Sequence, residues 1–292
     1  MKLFLTLVFS QLLLITTAQT KKIIDVTPGQ AEVQQVNRQG MQVAIELDEK
    51  FVTKNWLQQL KEYGKVESEK GGYVIHGANI PSVSTACTVY STIKTTSKGV
   101  VVFWAIDLGA HYITEGHTHY HYAKTKLHDF AASAYVADIN VQIATAENAL
   151  ASSVKNQDKL VKERESLKND SEKNVKEKAK LNENIANNEV ELKSLAASEA
   201  QIENRMKEVK ASENNEEQQK LLKESLSITN NIEKNKQQTV SYKDKLVENE
   251  TERLKLIEDT KTNATNITAA NEEVAKMTKA VEVVKDKLKM YQ

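Results

Sequence analysis

Histidine and tyrosine are concentrated in one short stretch of the chain, EGHTHYHYAKTKLHDF at positions 115–130. His117, His119 and His121 alternate along it, and His128 follows seven residues after His121. On a strand, the alternating three would point to one face, where neutral imidazoles can converge on a single Zn or Cu ion at about 2.0–2.1 Å. These four histidines are therefore the metal-ligand candidates of this sequence.

The same stretch also fits the beginning of a helix that Thr118 would cap. Apolar residues follow at helical spacing, namely Leu127, Phe130, Ala131, Ala134 and Tyr135. On a helix, His121 and His128 would share one face but lie about 10 Å apart along the axis, too far to hold one ion directly. The helical interpretation is favoured and predicts a surface histidine cluster with no native metal or other cofactor. Zn or Cu binding remains the alternative.

The rest of the sequence offers no catalytic signature. It has no Gly-rich phosphate loop, no GxSxG, no HExxH and no CxxC. Cys87 is the only cysteine, so an internal disulfide is impossible. The 40 basic and 40 acidic residues balance, and this balance gives no field that favours nucleic acid. We expect a non-enzymatic protein without a nucleic-acid partner, and no small-molecule ligand can be named.

Composition changes abruptly at Gly116. All nine glycines and both prolines lie at or before this residue, and the chain from His117 onward has neither. Glycine and proline are the main residues that interrupt helices, and Lys, Glu, Asn, Leu and Ala dominate what remains. The sequence therefore predicts a small α+β domain over 19–137 and an antiparallel coiled-coil hairpin over 138–292.

Signals for strands and one helix alternate in the first of these regions. A polar turn at 37–39 would join a strand within AEVQQV to a second strand, MQVAIEL. A helix follows, capped by Asp48 and ended by Gly64, and then a hairpin around Gly71. ACTVYSTIKT and GVVVFWAIDLG read as two further strands. The predicted fold class is α+β, an antiparallel sheet with helices packed on one face.

Two series of residues, hereafter called ladders, follow the alternating three- and four-residue spacing of a coiled coil through the second region. One runs from Ile143 to Val209 and the other from Leu221 to Tyr291, and the register breaks between them. A turn near 212–219, with Asn214-Asn215 as its best candidate, would place residues whose numbers sum to about 429 opposite each other. Arms of about 75 residues would be roughly 110 Å long, and the C-terminus would return beside residue 137. One unbroken helix in a parallel dimer is the alternative, and association of two hairpins stays open.

The N-terminus has the features of a secretory signal. Lys2 precedes the apolar run from Leu3 to Ile15, and Thr16-Thr17-Ala18 supplies small residues for cleavage, so 1–18 is predicted to be a signal peptide. No later segment is apolar enough for a transmembrane span. We therefore expect an exported protein, periplasmic or extracellular.

GQAEVQQVNRQGMQVAIEL, DEKFVTKNWLQQLKEYGK and the order of sheet domain then helical tail resemble uncharacterised exported proteins of Bacteroidota. That resemblance implies no assigned activity and transfers no functional residue. The expected function is a secreted structural or interaction protein, with a coiled-coil stalk that mediates self-association or docking to a protein partner at the cell envelope. The alternative is a periplasmic Zn- or Cu-binding protein that uses His117, His119, His121 and His128.

Overall fold

A computed structural model describes residues 23–211 and 214–291 of the chain. The predicted signal peptide lies outside these residues. The elements in chain order are β1 Val26–Val33, β2 Val36–Ile45, α1 Glu49–Lys61, β3 Glu67–Glu69, β4 Gly72–Ile80, β5 Ser84–Thr96, β6 Gly99–Asp107, α2 Tyr120–Ala211 and α3 Asn215–Lys289. This order confirms the predicted α+β class followed by a helical hairpin.

The chain divides into two compact units. The first contains the residues up to Ser152 together with those from Ala275 onward, and the second is Ser153–Val274. The sequence had suggested a division at 137–138, where the apolar set of the sheet domain ends. The unit boundary lies farther along both helices, so the first unit also includes the ends of α2 and α3 that pack together.

The six strands form one antiparallel sheet in the order β1-β2-β6-β5-β4-β3. The predicted turn at 37–39 is wrong, because Val33 pairs with Val36 and the two-residue turn is Gln34-Gln35. Both glutamines have positive φ, 56° and 61°, as a tight two-residue hairpin turn requires. Glutamine seldom adopts this conformation, which is why the sequence pattern pointed to the more polar segment instead.

Other local predictions in this unit are confirmed, except that α1 ends at Lys61, with Glu62 as its C-cap, rather than at the predicted Gly64. Asp48 caps α1 by accepting a hydrogen bond from the Phe51 N–H at 3.0 Å. The β3–β4 turn contains Gly71, and Thr96 pairs with Gly99 across the β5–β6 turn.

The main core lies between one sheet face and two helices, α1 and the beginning of α2. Trp56 of α1 packs edge-on against Trp104 of β6 and lies 4.5 Å from the Phe130 ring of α2, centroid to centroid. The buried Trp56 Nε1–H donates to Ser91 Oγ at 2.8 Å, and Ser91 Oγ–H donates to the Phe103 carbonyl at 2.6 Å. These two hydrogen bonds satisfy the Trp56 indole N–H and the Ser91 hydroxyl, whereas the buried Trp104 Nε1–H has no hydrogen-bond partner among the described residues.

A second, smaller core occupies the opposite face of the sheet, which the sequence analysis had left without a covering layer. Its buried members are Ala31, Val33, Val74, Tyr90, Phe103 and Ala105. The end of the β1–β2 hairpin closes this core, because the Gln34 N–H donates to the Lys70 carbonyl at 2.9 Å. The sheet therefore curls until its two outer hairpins meet.

The ends of the two long helices belong to this first unit. Tyr135 of α2 stacks on Tyr291 at 5.5 Å between ring centroids, and the Tyr135 hydroxyl accepts a hydrogen bond from the Glu46 N–H at 2.9 Å. Lys285 of α3 pairs with Glu147 of α2 at 2.7 Å. These contacts confirm that the C-terminus returns close to residue 137.

The second unit is the two-helix hairpin itself, in which α2 and α3 meet along the predicted ladders, hereafter the seam. Lys178 and Glu250, whose numbers sum to 428, form an ion pair at 3.0 Å, and Gln157 donates to Asn271 at 2.6 Å. Most seam positions are buried or half-buried, and Arg164 is one of the few exposed ones. The two contacts between the helices join residues whose numbers sum to 428, in agreement with the predicted sum of about 429.

Asn214 lies beside the beginning of α3, within the segment predicted to turn. Its side-chain oxygen accepts a hydrogen bond from the Glu217 N–H at 3.3 Å, so it acts as a helix N-cap. Neither Asn214 nor Asn215 has a positive φ. Residues 212 and 213 are outside the described chain.

Candidate functional site

The loop between β6 and α2 brings two histidines together. Asp107 pairs with Tyr112 in an isolated antiparallel bridge, and the Leu108 N–H donates to the His111 carbonyl at 3.0 Å. This tight return places the His111 ring 5.0 Å from the ring of His117, centroid to centroid. Their Nε2 atoms lie 3.1 Å apart, which is a hydrogen-bonding distance.

The backbone determines which nitrogen of His117 carries the proton. The His119 N–H donates to His117 Nδ1 at 3.1 Å, so Nδ1 must be unprotonated and the neutral ring carries its proton on Nε2. His117 then donates from Nε2 to the bare Nε2 of His111. Burial lowers the pKa of His117, and the neighbouring His111 and His119 imidazoles, which repel a further positive charge when they are protonated, lower it further. The arrangement therefore favours a neutral His117.

The helical interpretation of the histidine stretch describes it better than the strand interpretation, with one correction. α2 begins at Tyr120, and the N–H of His119, just before the helix, donates to the side chain of His117 rather than to the predicted cap, Thr118. The loop turns His117 Nδ1 towards this backbone N–H, so the imidazole takes the acceptor role that the Thr118 hydroxyl was expected to have near the helix start.

Of the predicted metal ligands, His119 lies beside His117, with 5.5 Å between the ring centroids. His121 and His128 lie exposed on α2, and His128 Nδ1 is 3.5 Å from Asp129 Oδ1. In the part of the chain that the structure describes, no three His, Cys, Asp or Glu side chains are grouped closely enough to hold a metal ion. His111 was not among the predicted ligands, because it lies six residues before His117 and outside the alternating pattern.

The His111–His117 pair has one property that suits a metal and one that opposes it. Two Nε2 atoms about 3.1 Å apart have the spacing of two ligands bound at about 2.0–2.1 Å to one tetrahedral ion. A metal-ligating histidine usually donates its second N–H to an acceptor, whereas His117 accepts at that position. Metal binding through His117 Nε2 would therefore require the proton to move to Nδ1 and the hydrogen bond from His119 to break.

An arginine anchors the hairpin end over the second core. The Arg38 guanidinium carbon lies 3.9 Å from the centroid of the Tyr90 ring, and Nη1 donates to the Tyr112 hydroxyl at 2.9 Å. Burial raises the pKa of Tyr90, while the positive charge of Arg38 opposes that rise. The contacts among Arg38, Tyr90 and Tyr112 connect the curled hairpin to the loop that carries His111. We therefore assign these residues a structural role.

Most of the exposed large apolar side chains of the described residues lie in the second unit, on one flank of the seam. We define the flank surface as the exposed apolar residues one position C-terminal to a seam residue: Val154 and Val175 of α2, and Leu222, Leu226, Val240, Val247, Leu254 and Ile257 of α3. Val247 is 68% exposed. The positions on α3 just before each seam residue, from Lys220 to Asp259, are all polar or charged. The apolar surface is therefore one-sided.

The flank positions of the two helices lie on the same side of the hairpin. In an antiparallel pair of right-handed helices, the residue after the seam turns towards the same side on both. The Glu147–Lys285 ion pair follows this rule within the first unit, since each residue comes directly after a seam position. On this side, a shallow groove of about 340 Å³ is lined by Ala196, Ala200, Glu203 and Ser225, among others.

Across residues 23–211 and 214–291, no helix is long and apolar enough to cross a membrane. Comparison of the chain with protein-family models, with curated proteins and with solved structures found no match.

Proposed function

We propose that this chain is an exported, non-enzymatic interaction protein whose coiled-coil hairpin mediates association or docking at the cell envelope. The observation that carries the proposal is the one-sided flank surface. Exposed apolar side chains concentrated on one side of a helix pair are typical of a protein-binding surface. A helix with both a seam and an apolar flank has the wide apolar face of a bundle helix rather than the narrow stripe of a two-stranded coiled coil.

The hairpin does not need this surface for its own closure. The seam already carries the contacts between α2 and α3, including the reciprocal hydrogen bonds between Asn174 and Asn249 at 2.9 and 3.1 Å. The flank residues lie outside it and remain exposed. Binding of a second protein surface would bury these residues. That burial is favourable because the exposure of apolar side chains to water costs free energy.

Site-specific photo-cross-linking in the native cells tests this proposal. A benzophenone amino acid at Val247 should cross-link to another protein in the envelope fraction, whereas the same probe at the neighbouring Glu248, on the polar flank, should not. Recovery of the chain in the cytosolic fraction, or the absence of a protein adduct at Val247, would contradict the proposed role.

The alternative function is Zn or Cu binding in the periplasm, through the predicted His117, His119, His121 and His128. The 3.1 Å Nε2–Nε2 distance between His111 and His117 is the observation that favours it, and it adds His111 to the candidate ligands. Calorimetric titration of Zn²⁺ and Cu²⁺ decides the matter. Tight binding that disappears in His111→Ala but persists in His128→Ala would support it, and heats indistinguishable from buffer would exclude it.

A further inference from the structure

We propose that the flank surface is covered by a second copy of this chain, with the two hairpins running in opposite directions, so that four helices form one bundle. The inference rests on the interaction role proposed above and identifies the partner. Its basis is a self-complementary order of residues along α3, centred on Val247, and a similar order on α2 at the same level of the hairpin.

Along α3, every seventh residue from Leu226 lies on the flank side: Leu226, Glu233, Val240, Val247, Leu254, Lys261 and Thr268. A twofold axis at Val247 places Val247 against its own copy, Val240 against Leu254 and Glu233 against Lys261. Glu233 and Lys261 are both exposed, and the Glu233 carboxylate accepts a hydrogen bond from Gln237 at 3.0 Å through one of its two oxygens. A twofold interface requires this property, since each residue must suit the residue that symmetry brings to it.

The facing positions on α2 have the same property. Every seventh residue from Asp158 lies on the flank side: Asp158, Glu165, Glu172, Ala179, Ala186, Lys193, Ala200 and Lys207. The midpoint of this series lies between Ala179 and Ala186, near residue 182, and residue 182 stands opposite Val247 because the two numbers sum to 429. The same axis would place Glu172 against Lys193 and Asp158 against Lys207. Two helices with unrelated sequences thus share one centre of symmetry.

Pairing in the same direction lacks this complementarity. It would set α2 of one copy against α3 of the other at equal level, and Lys168 would then face Lys261, since 168 and 261 also sum to 429. Like charges in facing positions are destabilising. Charge order therefore selects the opposite-direction arrangement.

The overlap is large enough for a stable dimer. Centred on residue 182, it extends over about 50 residues of each helix, or roughly 75 Å. A strip of that length and about 10 Å width covers on the order of 750 Å² per copy, close to the roughly 800 Å² per partner of a standard interface. The small side chains at Ala179, Ala186, Ala196 and Ala200 permit close approach of α2 to its copy.

Cysteine cross-linking of the purified full chain tests both the partner and the direction, in a Cys87→Ala background. Val247→Cys should form a disulfide-linked dimer under mild oxidation, because symmetry brings the two thiols together. Ser241→Cys, on the polar flank, is the matched control and should not. Since the Val247 side chain is already 68% exposed, circular dichroism should show unchanged helix content in the variant.

Charge reversal supplies the second arm, measured by sedimentation equilibrium. Lys261→Glu alone and Glu233→Lys alone should each weaken dimerisation about tenfold, and the double variant should recover most of that loss. Strengthened dimerisation by Lys261→Glu would instead indicate hairpins that run in the same direction, which overturns the proposed arrangement. A chain that stays monomeric at about 100 µM overturns the second-copy proposal altogether. In that case a Val247 photo-adduct with a different protein would still support the docking function, so the two failures are distinguishable.

Discussion

Replacement of the buried asparagine pair in the seam should stabilise the hairpin while loosening its register. Asn174 and Asn249 each donate from Nδ2 to the other's backbone carbonyl, at 2.9 and 3.1 Å. The side-chain oxygen of each is buried and has no hydrogen-bond partner among the described residues. The pair thus forms two hydrogen bonds and leaves two buried acceptors unsatisfied.

These contacts set the expected magnitude for Asn174→Leu combined with Asn249→Leu. Loss of two hydrogen bonds costs about 2 kcal/mol, whereas removal of two unsatisfied buried oxygens returns about 2–6 kcal/mol. Burial of two leucine side chains adds about 1.5–3 kcal/mol each before any packing strain. We therefore expect the unfolding free energy of the hairpin to rise by at least about 2 kcal/mol. Asn231→Leu, at an exposed position, controls for helix propensity.

Two measurements check this prediction. Urea unfolding followed at 222 nm should show a higher midpoint for the double variant. Spin labels at Lys193 and Lys236, exposed positions at one level of the two helices, should show a broader distance distribution, because a buried asparagine fixes register at the expense of stability. A lower midpoint together with an unchanged distribution would refute this account of the pair.

Three further predictions concern single side chains. Trp56→Phe removes the donor to Ser91 Oγ and should lower the unfolding free energy of the sheet unit by about 1–3 kcal/mol, as measured by denaturant unfolding with near-UV circular dichroism. The pKa of Glu250 is lowered from 4.5 to about 2, chiefly by hydrogen bonds from Arg253. Its contribution is complete above pH 4.5 and disappears as the pH falls towards 2, so the melting temperature of Glu250→Gln should depend less on pH across that window. His117 has its pKa lowered below 6.5, so stability should fall as the pH drops through 6.5, and nitrogen-15 NMR at pH 7.5 should show the tautomer protonated at Nε2.

Periodicity was sufficient to predict the elements whose burial depends on local spacing. Val52, Trp56 and Leu60 define one helix face, and all three are buried against the sheet. The same holds for the seam, where Leu181 and Leu221 are buried. The antiparallel packing of α2 against α3 was predictable too, because the polar positions in the seam of one helix fall opposite the polar positions in the seam of the other.

Features that depend on contacts distant in sequence were not predictable from periodicity. The Gln34-Gln35 turn is held in place by Lys70, on a different hairpin, and not by a turn-forming residue. His111 joins His117 only because the Asp107–Tyr112 bridge folds the loop back on itself. The flank surface could not be predicted from the sequence, because its residues are apolar like those of the seam. The structure shows which of the two sets is buried.

The most direct test of the hairpin is the distance between residues 178 and 250 within one molecule. They are 72 positions apart in sequence, and their side chains form an ion pair at 3.0 Å. Spin labels at both positions, in a Cys87→Ala chain diluted with unlabelled protein, should report a separation below about 25 Å, because packed helix axes lie about 8–10 Å apart. A separation near 110 Å, the length of 72 residues in one straight helix, would contradict the antiparallel hairpin and the interaction surface built on it.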